Sequence, residues 1–228
     1  MSETSTRLSL TDAKAVRLLS VQASPREEFS VSIAATQTFL AALSRVQPML
    51  DVDALDLWTT RLPEFSGDTI NAKYARLTGR AMDPGEQAAW DHIIGIIDRL
   101  KAADGVVIAT PMWNFGIPYK LKHWIDLITQ PGLTFSFNPQ TGYAPLLASK
   151  PVLVILSSAG DYSSGPSRGR PDLATPYLRE ALKFIGLNRV SFVAIGPTVA
   201  DAEQVAVART NADARLASLA AKFLNAPR

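Results

Sequence analysis

The chain has 228 residues, 47% of them hydrophobic and 19% charged, with a formal net charge of +2 at pH 7. This composition is typical of a globular protein with one well-filled core, and so small a charge favours neither nucleic acid nor an anionic membrane as a partner. The absence of cysteine excludes disulfides, thiolate metal sites and cysteine nucleophiles.

Residues 1–14 are polar, with no apolar run that would indicate a signal peptide. No segment approaches the roughly 18 consecutive apolar residues of a transmembrane helix. We therefore expect a cytoplasmic protein, with a polar N-terminal extension at 1–14 and a single domain at 15–228.

Strand-like and helix-like segments alternate along this domain. The sequence predicts strands at 16–21, 50–57, 106–109, 152–156 and 190–195, and helices at 31–46, 84–100, 120–128, 171–185 and 202–224. A long polar connection follows the second strand. Near-continuous apolar strands separated by helices indicate a parallel sheet covered on both faces. Five such strands predict an α/β fold, a flavodoxin-like three-layer sandwich with strand order 2-1-3-4-5.

An aromatic loop, Thr-Pro-Met-Trp-Asn-Phe-Gly-Ile-Pro at 110–118, follows the third predicted strand. In open α/β sheets, ligands bind outside the carboxyl ends of the strands. Pro111 stiffens the loop, Asn114 offers both a donor and an acceptor, and Trp113 and Phe115 offer flat apolar faces. This set suits a planar aromatic ligand with a polar edge. The alternative is that the loop only closes the core.

The loop after the first strand carries three serines at the predicted start of a helix. Ser30 is a candidate N-cap, and hydroxyls of Ser24, Ser30 and Ser32 could complete a cradle for a phosphate monoester. Neither G-x-G-x-x-G nor G-K-[ST] is present, which argues against a Rossmann site and a P-loop. The alternative is that Ser30 is only a cap and Ser24 part of a turn.

Small residues at 157–160, Ser-Ser-Ala-Gly, follow the fourth predicted strand and allow backbone amides to approach a ligand closely. In isolation this segment is equally compatible with a simple turn. All three loops leave the same edge of the predicted sheet. A phosphate cradle, an aromatic clamp and a row of backbone donors together favour flavin mononucleotide (FMN) as the ligand.

These motifs resemble the FMN-dependent NADH azoreductases, also called FMN-dependent NADH:quinone oxidoreductases. The most specific mark is P-M-[YW]-N-F at 111–115. Further matches lie at 24–26, 30–32, 132–135, 172–178 and 184–186, so the resemblance extends from about Val16 to Gly196.

The resemblance implies a role for each loop. It places the FMN phosphate at Ser24, Ser30, Val31 and Ser32; the flavin ring at Pro111, Met112, Trp113, Asn114 and Phe115; the pyrimidine edge at Ser157, Ser158, Ala159 and Gly160; and the substrate pocket at Phe135, Phe137 and Phe184. Ser158 and Ala159 depart from the family's S-R-G-G pattern, which puts the detail of the flavin contacts in question but not binding itself.

The reaction that the resemblance implies is hydride transfer from NADH or NADPH through FMN to a quinone or azo compound, by a ping-pong mechanism in a homodimer. We expect no metal, because Asp53 and Asp56 lack further ligands at useful spacing. His92 and His123 are interpreted as structural. A flavodoxin-like electron carrier would share the FMN site, but such carriers are usually smaller and acidic, whereas the isoelectric point here is near 8.9. A flavin-binding redox-sensing scaffold also remains an alternative.

An apparent insertion, Ser-Arg-Gly-Arg at 167–170, follows the fourth strand. We expect Gly169 to keep this segment mobile while Arg168 and Arg170 lie at the mouth of the substrate pocket. Guanidinium groups there would pair with nucleotide phosphates or with an anionic acceptor. The alternative is a solvated basic loop.

Overall fold

The computed structural model describes residues 15–224, and its central layer is a five-stranded parallel sheet. The strands are β1 (Val16–Gln22), β2 (Leu50–Asp56), β3 (Gly105–Pro111), β4 (Phe135–Asn138), β5 (Gly142–Pro145), β6 (Pro151–Ser157) and β7 (Arg189–Ile195). The central sheet has the order β2-β1-β3-β6-β7 with every neighbouring pair parallel, while β4 and β5 form a separate antiparallel hairpin. The predicted fold and strand order are therefore confirmed, and β1 and β3 flank the point where strand order reverses.

Six α-helices within residues 15–224 cover both faces of this sheet. They are α1 (Val31–Val46), α2 (Gly67–Thr78), α3 (Pro84–Ala102), α4 (Tyr119–Ile128), α5 (Ala174–Phe184) and α6 (Ala202–Ala220). On one face α1 and α6 pack through buried residues such as Phe39 and Leu216. On the other, α3, α4 and α5 pack through residues such as Ile93, Trp124 and Leu178. Burial on both faces explains why the strands are continuously apolar.

Two elements lie where the sequence predicts only connections. Helix α2 buries only small side chains, those of Thr69, Ala72 and Ala75, and ends at Gly79 in a left-handed conformation. A stripe without large apolar residues gives little helical periodicity, so the sequence signal is weak. The β4–β5 hairpin has strands of only four residues each, which are too short to show alternation clearly.

The predicted helix ends differ by three or more residues at two places, the start of α5 and the end of α6. Helix α5 begins at Ala174 rather than at 171, because the Asp172 carboxylate accepts hydrogen bonds from the N–H groups of Ala174 and Thr175, both at 2.9 Å, and so caps the helix after the proline. Helix α6 ends at Ala220 and is followed by turns to residue 224. The predicted extension at 1–14 lies outside the described residues.

Candidate functional site

Three loops meet where β1, β3 and β6 end. Backbone pairing continues into them: Ala23 N–H donates to Ala109 O at 2.8 Å, and Met112 N–H donates to Ser157 O at 2.7 Å. The loops border a cleft of about 130 Å³. It is lined by Ser24, Arg26, Ser30, Val31, Pro111, Met112, Trp113, Ser157, Ser158, Ala159 and Thr198. Most of the residues predicted to bind the cofactor thus share one cleft.

The serine cradle is built at the start of α1. Ser30 caps the helix, since its Oγ accepts from Ile33 N–H at 3.3 Å, as the sequence predicts. The N–H groups of Val31 and Ser32 have no acceptor in the described part of the chain, so they remain available to an anion. Ser24 and Ser30 are both buried and line the cleft. Ser32 is fully buried and does not line it; its Oγ lies 3.2 Å from that of Ser30 and holds it in place.

The aromatic loop contains a strained two-residue turn. Trp113 and Gly116 exchange backbone hydrogen bonds of 3.0 and 2.9 Å, and the two residues between them have positive φ, +48° for Asn114 and +72° for Phe115. Asparagine tolerates this region, but a bulky residue there costs about 1–2 kcal/mol. Phe115 O accepts from Leu173 N–H at 2.9 Å, which ties the turn to the segment before α5. The turn directs Trp113 into the cleft, whereas Asn114 and Phe115 form its exposed tip.

The loop after β6 is fixed by the segment that follows β7. Ser158 N–H donates to Ile195 O, and Ser158 O accepts from both the N–H and the hydroxyl of Thr198, all at 3.0 Å. The Ser158 hydroxyl donates to Gly160 O at 2.8 Å. The amide of Ala159 is therefore the backbone donor that this loop can offer a ligand in the cleft. Thr198 lines the cleft although nothing in its sequence context indicates a site.

Two glycines set the shape of this loop. A Cβ at Gly196 would collide with the Gly160 carbonyl oxygen, and a Cβ at Gly160 would lie 2.6 Å from Ser167 Oγ. Gly196 therefore needs glycine because backbone packs directly against it, whereas a side chain at position 160 would require Ser167 to move. Gly160 lines the neighbouring cavity beside α6 and does not line the cleft.

A second tryptophan supports Trp113. The indole N–H of Trp58 donates to Ala23 O at 3.1 Å, and its ring lies 5.9 Å from that of Trp113 and 5.4 Å from that of Tyr119. Trp58 thus connects the loops that follow β1, β2 and β3. The sequence gives no sign of it, because it lies in the polar connection after the second strand.

The predicted substrate-pocket aromatics form a separate cluster. Ring centroids lie 5.0 Å apart for Phe135 and Phe184, 4.8 Å for Phe137 and Tyr143, and 5.5 Å for Tyr143 and Phe184. Phe137 is 55% exposed and Tyr143 64% exposed. None of them lines the 130 Å³ cleft. Their place in a substrate pocket stays a prediction.

Burial shifts the pKa values of two ionisable groups beside this cluster. Burial raises the pKa of Tyr177 to about 12, and the nearby Asp126 carboxylate adds to the effect. The phenol therefore stays neutral. Burial lowers the pKa of Lys73, whose Nζ lies 3.5 Å from Thr129 O.

The arginine segment forms a hairpin turn, and its expected mobility stays a prediction. Ser167 and Arg170 exchange backbone hydrogen bonds of 3.1 and 3.0 Å, and both residues between them have positive φ, +49° for Arg168 and +78° for Gly169. Such a turn is favoured by glycine at its second position. Both arginines are exposed and line a cavity of about 940 Å³ beside α6 rather than the cleft itself. Ala159 lines both spaces, so the two adjoin.

The carboxylates considered as metal ligands have other partners. Asp53 pairs with Arg99, with Nη2–Oδ1 at 2.6 Å and Nε–Oδ2 at 3.0 Å, and the hydrogen bond from Arg99 holds the pKa of Asp53 below its usual value. Asp56 accepts from Trp58 N–H at 2.8 Å. Nε2 of His123 lies 2.8 Å from Pro63 O. Within residues 15–224 no three His, Asp or Glu side chains are grouped as a metal site would require, and no helix is long and apolar enough to cross a membrane.

Comparison with known proteins identifies the family. A family model described as flavodoxin-like fold matches residues 16–219. FMN-dependent NADH:quinone oxidoreductase 1 of Bradyrhizobium diazoefficiens is 48% identical over 207 residues, covering 91% of this chain and 99% of that protein. The chain belongs to the FMN-dependent NADH:quinone oxidoreductase family.

Other members and a solved structure agree with this assignment. The FMN-dependent NADH:quinone oxidoreductase of Ruegeria pomeroyi is 42% identical over 184 residues, covering 80% of this chain and 90% of that protein. The crystal structure of azoreductase from Bacillus anthracis str. Sterne has a TM-score of 0.82 at 28% identity and covers 91% of this chain and 100% of that one. The resemblance to the FMN-dependent NADH:quinone oxidoreductase family, inferred from the 111–115 motif, is confirmed.

Proposed function

We propose that this protein is an FMN-dependent enzyme that transfers electrons from NAD(P)H to quinones and azo compounds. The observation that carries the proposal is the convergence, in one cleft, of a serine-capped helix start and a strained turn that presents Trp113. Residues 15–228 would form a single FMN-binding domain, with residues 1–14 as a polar N-terminal extension.

The residues present fit FMN. Two unpaired amides, those of Val31 and Ser32, and the hydroxyls of Ser24 and Ser30 match a dianionic phosphate group at a helix N-terminus. Trp113 and Met112 match the faces of a flat ring, because both are apolar and line the same cleft. The amide of Ala159, which lines the cleft, matches an acceptor of its pyrimidine edge, and that of Gly160 would need the ligand to reach beyond the cleft.

Bound there, FMN supplies the two-electron redox chemistry, so the protein needs to provide binding, orientation and exclusion of water. The reaction then needs no nucleophilic side chain, which agrees with a chain that has no cysteine and whose Tyr177 phenol stays neutral. Ser24, Ser30, Val31 and Ser32 would hold the phosphate, directly or, for Ser32, through Ser30. Pro111, Met112, Trp113, Asn114 and Phe115 would set the ring plane.

We infer that the acceptor pocket forms at a subunit boundary of a homodimer. Phe137 and Tyr143 expose aromatic surface that does not line the cleft of their own chain, and exposed apolar patches of this kind are typical of protein interfaces. Phe135 and Phe184 would support that surface from below. Light scattering would give a dimer; a fully active monomer would contradict this inference.

We further propose a ping-pong reaction in the cytoplasm, with nicotinamide and acceptor using the same exposed ring face in turn. Parallel double-reciprocal lines in steady-state kinetics are the expected result, and intersecting lines would indicate a ternary complex. Measurements with NADH and with NADPH would establish which nucleotide is the better donor.

Anaerobic stopped-flow absorbance tests the function itself. FMN-loaded protein mixed with NADH or NADPH should lose its flavin absorbance, and a quinone or azo dye added next should restore it. An electron carrier or redox-sensing scaffold would be reduced only slowly by the nucleotide and would not turn over with excess quinone. Absence of turnover with both nucleotides would overturn the proposal.

A further inference from the structure

A cavity of about 240 Å³ lies between α2, α4 and α5, next to the aromatic cluster of the β4–β5 hairpin. Its walls carry Lys73 from α2, Asp126 from α4, and Tyr177 and Phe184 from α5. Phe184 also belongs to the aromatic cluster, where its ring centroid lies 5.0 Å from that of Phe135. The cavity therefore continues the aromatic surface that we assign to the acceptor.

The cavity lies away from the cleft of its own chain. Helix α5 begins beside the aromatic loop, because Leu173 N–H, just before the helix, donates to Phe115 O at 2.9 Å. Phe184 is the last residue of α5, and the 11 residues of this helix span about 15 Å at 1.5 Å per residue. A ligand of one or two rings cannot bridge this distance. A ligand in the cavity would therefore meet the cleft of a second copy of the chain.

The Lys73 ammonium in this cavity has hydrogen-bonding capacity to spare. Its Nζ lies 3.5 Å from Thr129 O and 5.8 Å from the centroid of the Phe65 ring. An ammonium has three donors, so at least one remains for a ligand. In the described part of the chain Lys73 forms no ion pair, and the Asp126 carboxylate is held by Lys122 Nζ at 2.6 and 2.7 Å.

The positive charge of Lys73 is only partly compensated. Burial lowers the pKa of Lys73, and the Asp126 carboxylate offsets this effect only in part. An anion bound beside a half-buried ammonium favours its charged form. The cavity thus suits a negatively charged group at this position.

The remaining walls suit an aromatic ligand. Phe65, Tyr177 and Phe184 bring aromatic rings, which pack well against a flat ring. Burial raises the pKa of Tyr177 to about 12, with a further contribution from Asp126, so the hydroxyl stays protonated and can donate a hydrogen bond. The volume is below the range of about 300–1,000 Å³ that is usual for small-molecule sites, so the cavity suits one end of a ligand.

We propose that Lys73 selects hydroxyquinones, acceptors that carry an ionised oxygen on the quinone ring. Its ammonium pairs with the ring oxyanion, while Tyr177 and Phe184 hold the ring. The proposal rests on the proposed function, because the acceptor has to be a quinone bound at a subunit boundary. It goes beyond that function by assigning a charged anchor and a class of acceptor.

Isothermal titration calorimetry with two quinones of similar shape tests the proposal on the full-length, FMN-loaded protein. Lawsone is a naphthoquinone whose ring hydroxyl is ionised at neutral pH, and menadione has an uncharged methyl group in the same place. Lys73→Met keeps the apolar stem and removes the charge. The dissociation constant for lawsone should then rise by about tenfold, whereas that for menadione should change by less than about twofold.

Arg76→Met is the matched control, since Arg76 is an exposed cation about one turn further along α2 and does not line the cavity. It should leave both dissociation constants unchanged. The affinity of Lys73→Met for menadione reports whether that variant is intact.

Three results would overturn the proposal: no binding of lawsone to the unaltered protein, an unchanged affinity for lawsone in Lys73→Met, or an equal loss of affinity for both quinones. An equal loss with weaker subunit association in light scattering would assign the charge of Lys73 to an ion pair with a second copy. Turnover of NADH with menadione tests the proposed function separately. A protein that binds lawsone through Lys73 but reduces neither quinone would contradict that function and leave the assigned anchor in place.

Discussion

The two ends of the parallel sheet use their polar groups in opposite ways. At the amino end, the buried Lys150 ammonium, just before β6, donates to the carbonyl oxygens of Leu100, Lys101 and Ala103 and so closes the end of α3. At the carboxyl end, backbone amides at the start of α1 stay unpaired and aromatic side chains stay exposed. One end is satisfied internally, whereas the other is arranged for a ligand.

Strained backbone conformations also lie at the carboxyl end of the sheet. Within residues 15–224, the non-glycine residues with positive φ are Glu27, Asn114, Phe115 and Arg168, and all four lie on loops that follow β1, β3 or β6. Strained conformations persist where surrounding contacts impose them, and they cluster at functional sites. We therefore expect binding and stability to be separable by position along the strands.

The largest expected effect is on FMN binding. Ser30→Ala combined with Ser32→Ala removes the N-cap and a phosphate donor, so the dissociation constant for FMN should rise by about 100-fold, given about 1.5–3 kcal/mol for a hydrogen bond to a charged group. Fluorescence titration measures it. Ser44→Ala, on the exposed side of the same helix, is the control. An unchanged FMN affinity in the double variant would remove the phosphate from this cradle.

A substitution at the amino end of the sheet should lower the stability of the fold. Lys150→Met keeps the apolar stem but leaves three carbonyl groups without their donor, so the free energy of unfolding should fall by about 2–3 kcal/mol. Burial lowers the pKa of Lys150, but the ammonium form is the one that satisfies three acceptors. Denaturant titration measures the loss. Lys101→Met, at an exposed neighbour, should change little; an equal loss there would show that the contacts of Lys150 do not matter.

A smaller effect is expected at Trp58. Trp58→Phe keeps an aromatic ring beside Trp113 but removes the indole N–H that donates to Ala23 O. The lost hydrogen bond should lower the free energy of unfolding by about 1 kcal/mol, and the looser support of Trp113 should lower FMN affinity by up to about fivefold. A fall in stability without a fall in affinity would mean that Trp58 packs the loop and does not position Trp113.

Acid should weaken the pair of Asp53 and Arg99. The pKa of Asp53 is held below its usual value, so the pair stabilises the fold above about pH 4 and this contribution is lost as pH falls through the lowered pKa. Because the pair is partly exposed, Asp53→Asn should cost only about 0.5 kcal/mol at pH 7. In thermal melts, the unfolding midpoint of this variant should fall less with decreasing pH than that of the unaltered chain. An unchanged acid profile would contradict this.

The arginine turn should give the smallest effect, restricted to charged ligands. Arg168→Ala with Arg170→Ala should raise KM for an anionic azo dye by about two- to threefold, and added salt should remove the difference, because exposed charges are screened over about 8 Å. KM for a neutral quinone is the control. Equal changes for charged and neutral acceptors would identify the segment as a solvated basic loop.

The sequence predicts the parts of this molecule that depend on local signals. Ser30 as an N-cap and the parallel strand order follow from residue type and periodicity, and both are confirmed. Trp58 and Lys150 could not be predicted, because their partners lie 35 and about 50 residues away and are backbone carbonyls, which have no residue-type signal. The positive φ of Phe115 opposes the residue's own preference, so only tertiary contacts reveal it.

Thermal unfolding with and without FMN tests most directly whether the carboxyl end of the sheet serves binding and the amino end serves stability. A ligand that binds only the folded state raises the unfolding midpoint, and the rise grows with the logarithm of ligand concentration over the dissociation constant. Lys150→Met should unfold at a lower temperature yet keep the full rise on adding FMN, whereas Ser30→Ala with Ser32→Ala should lose most of that rise. If Lys150→Met lost the rise, or the serine variant kept it, the two ends would not be separable and the account would be contradicted.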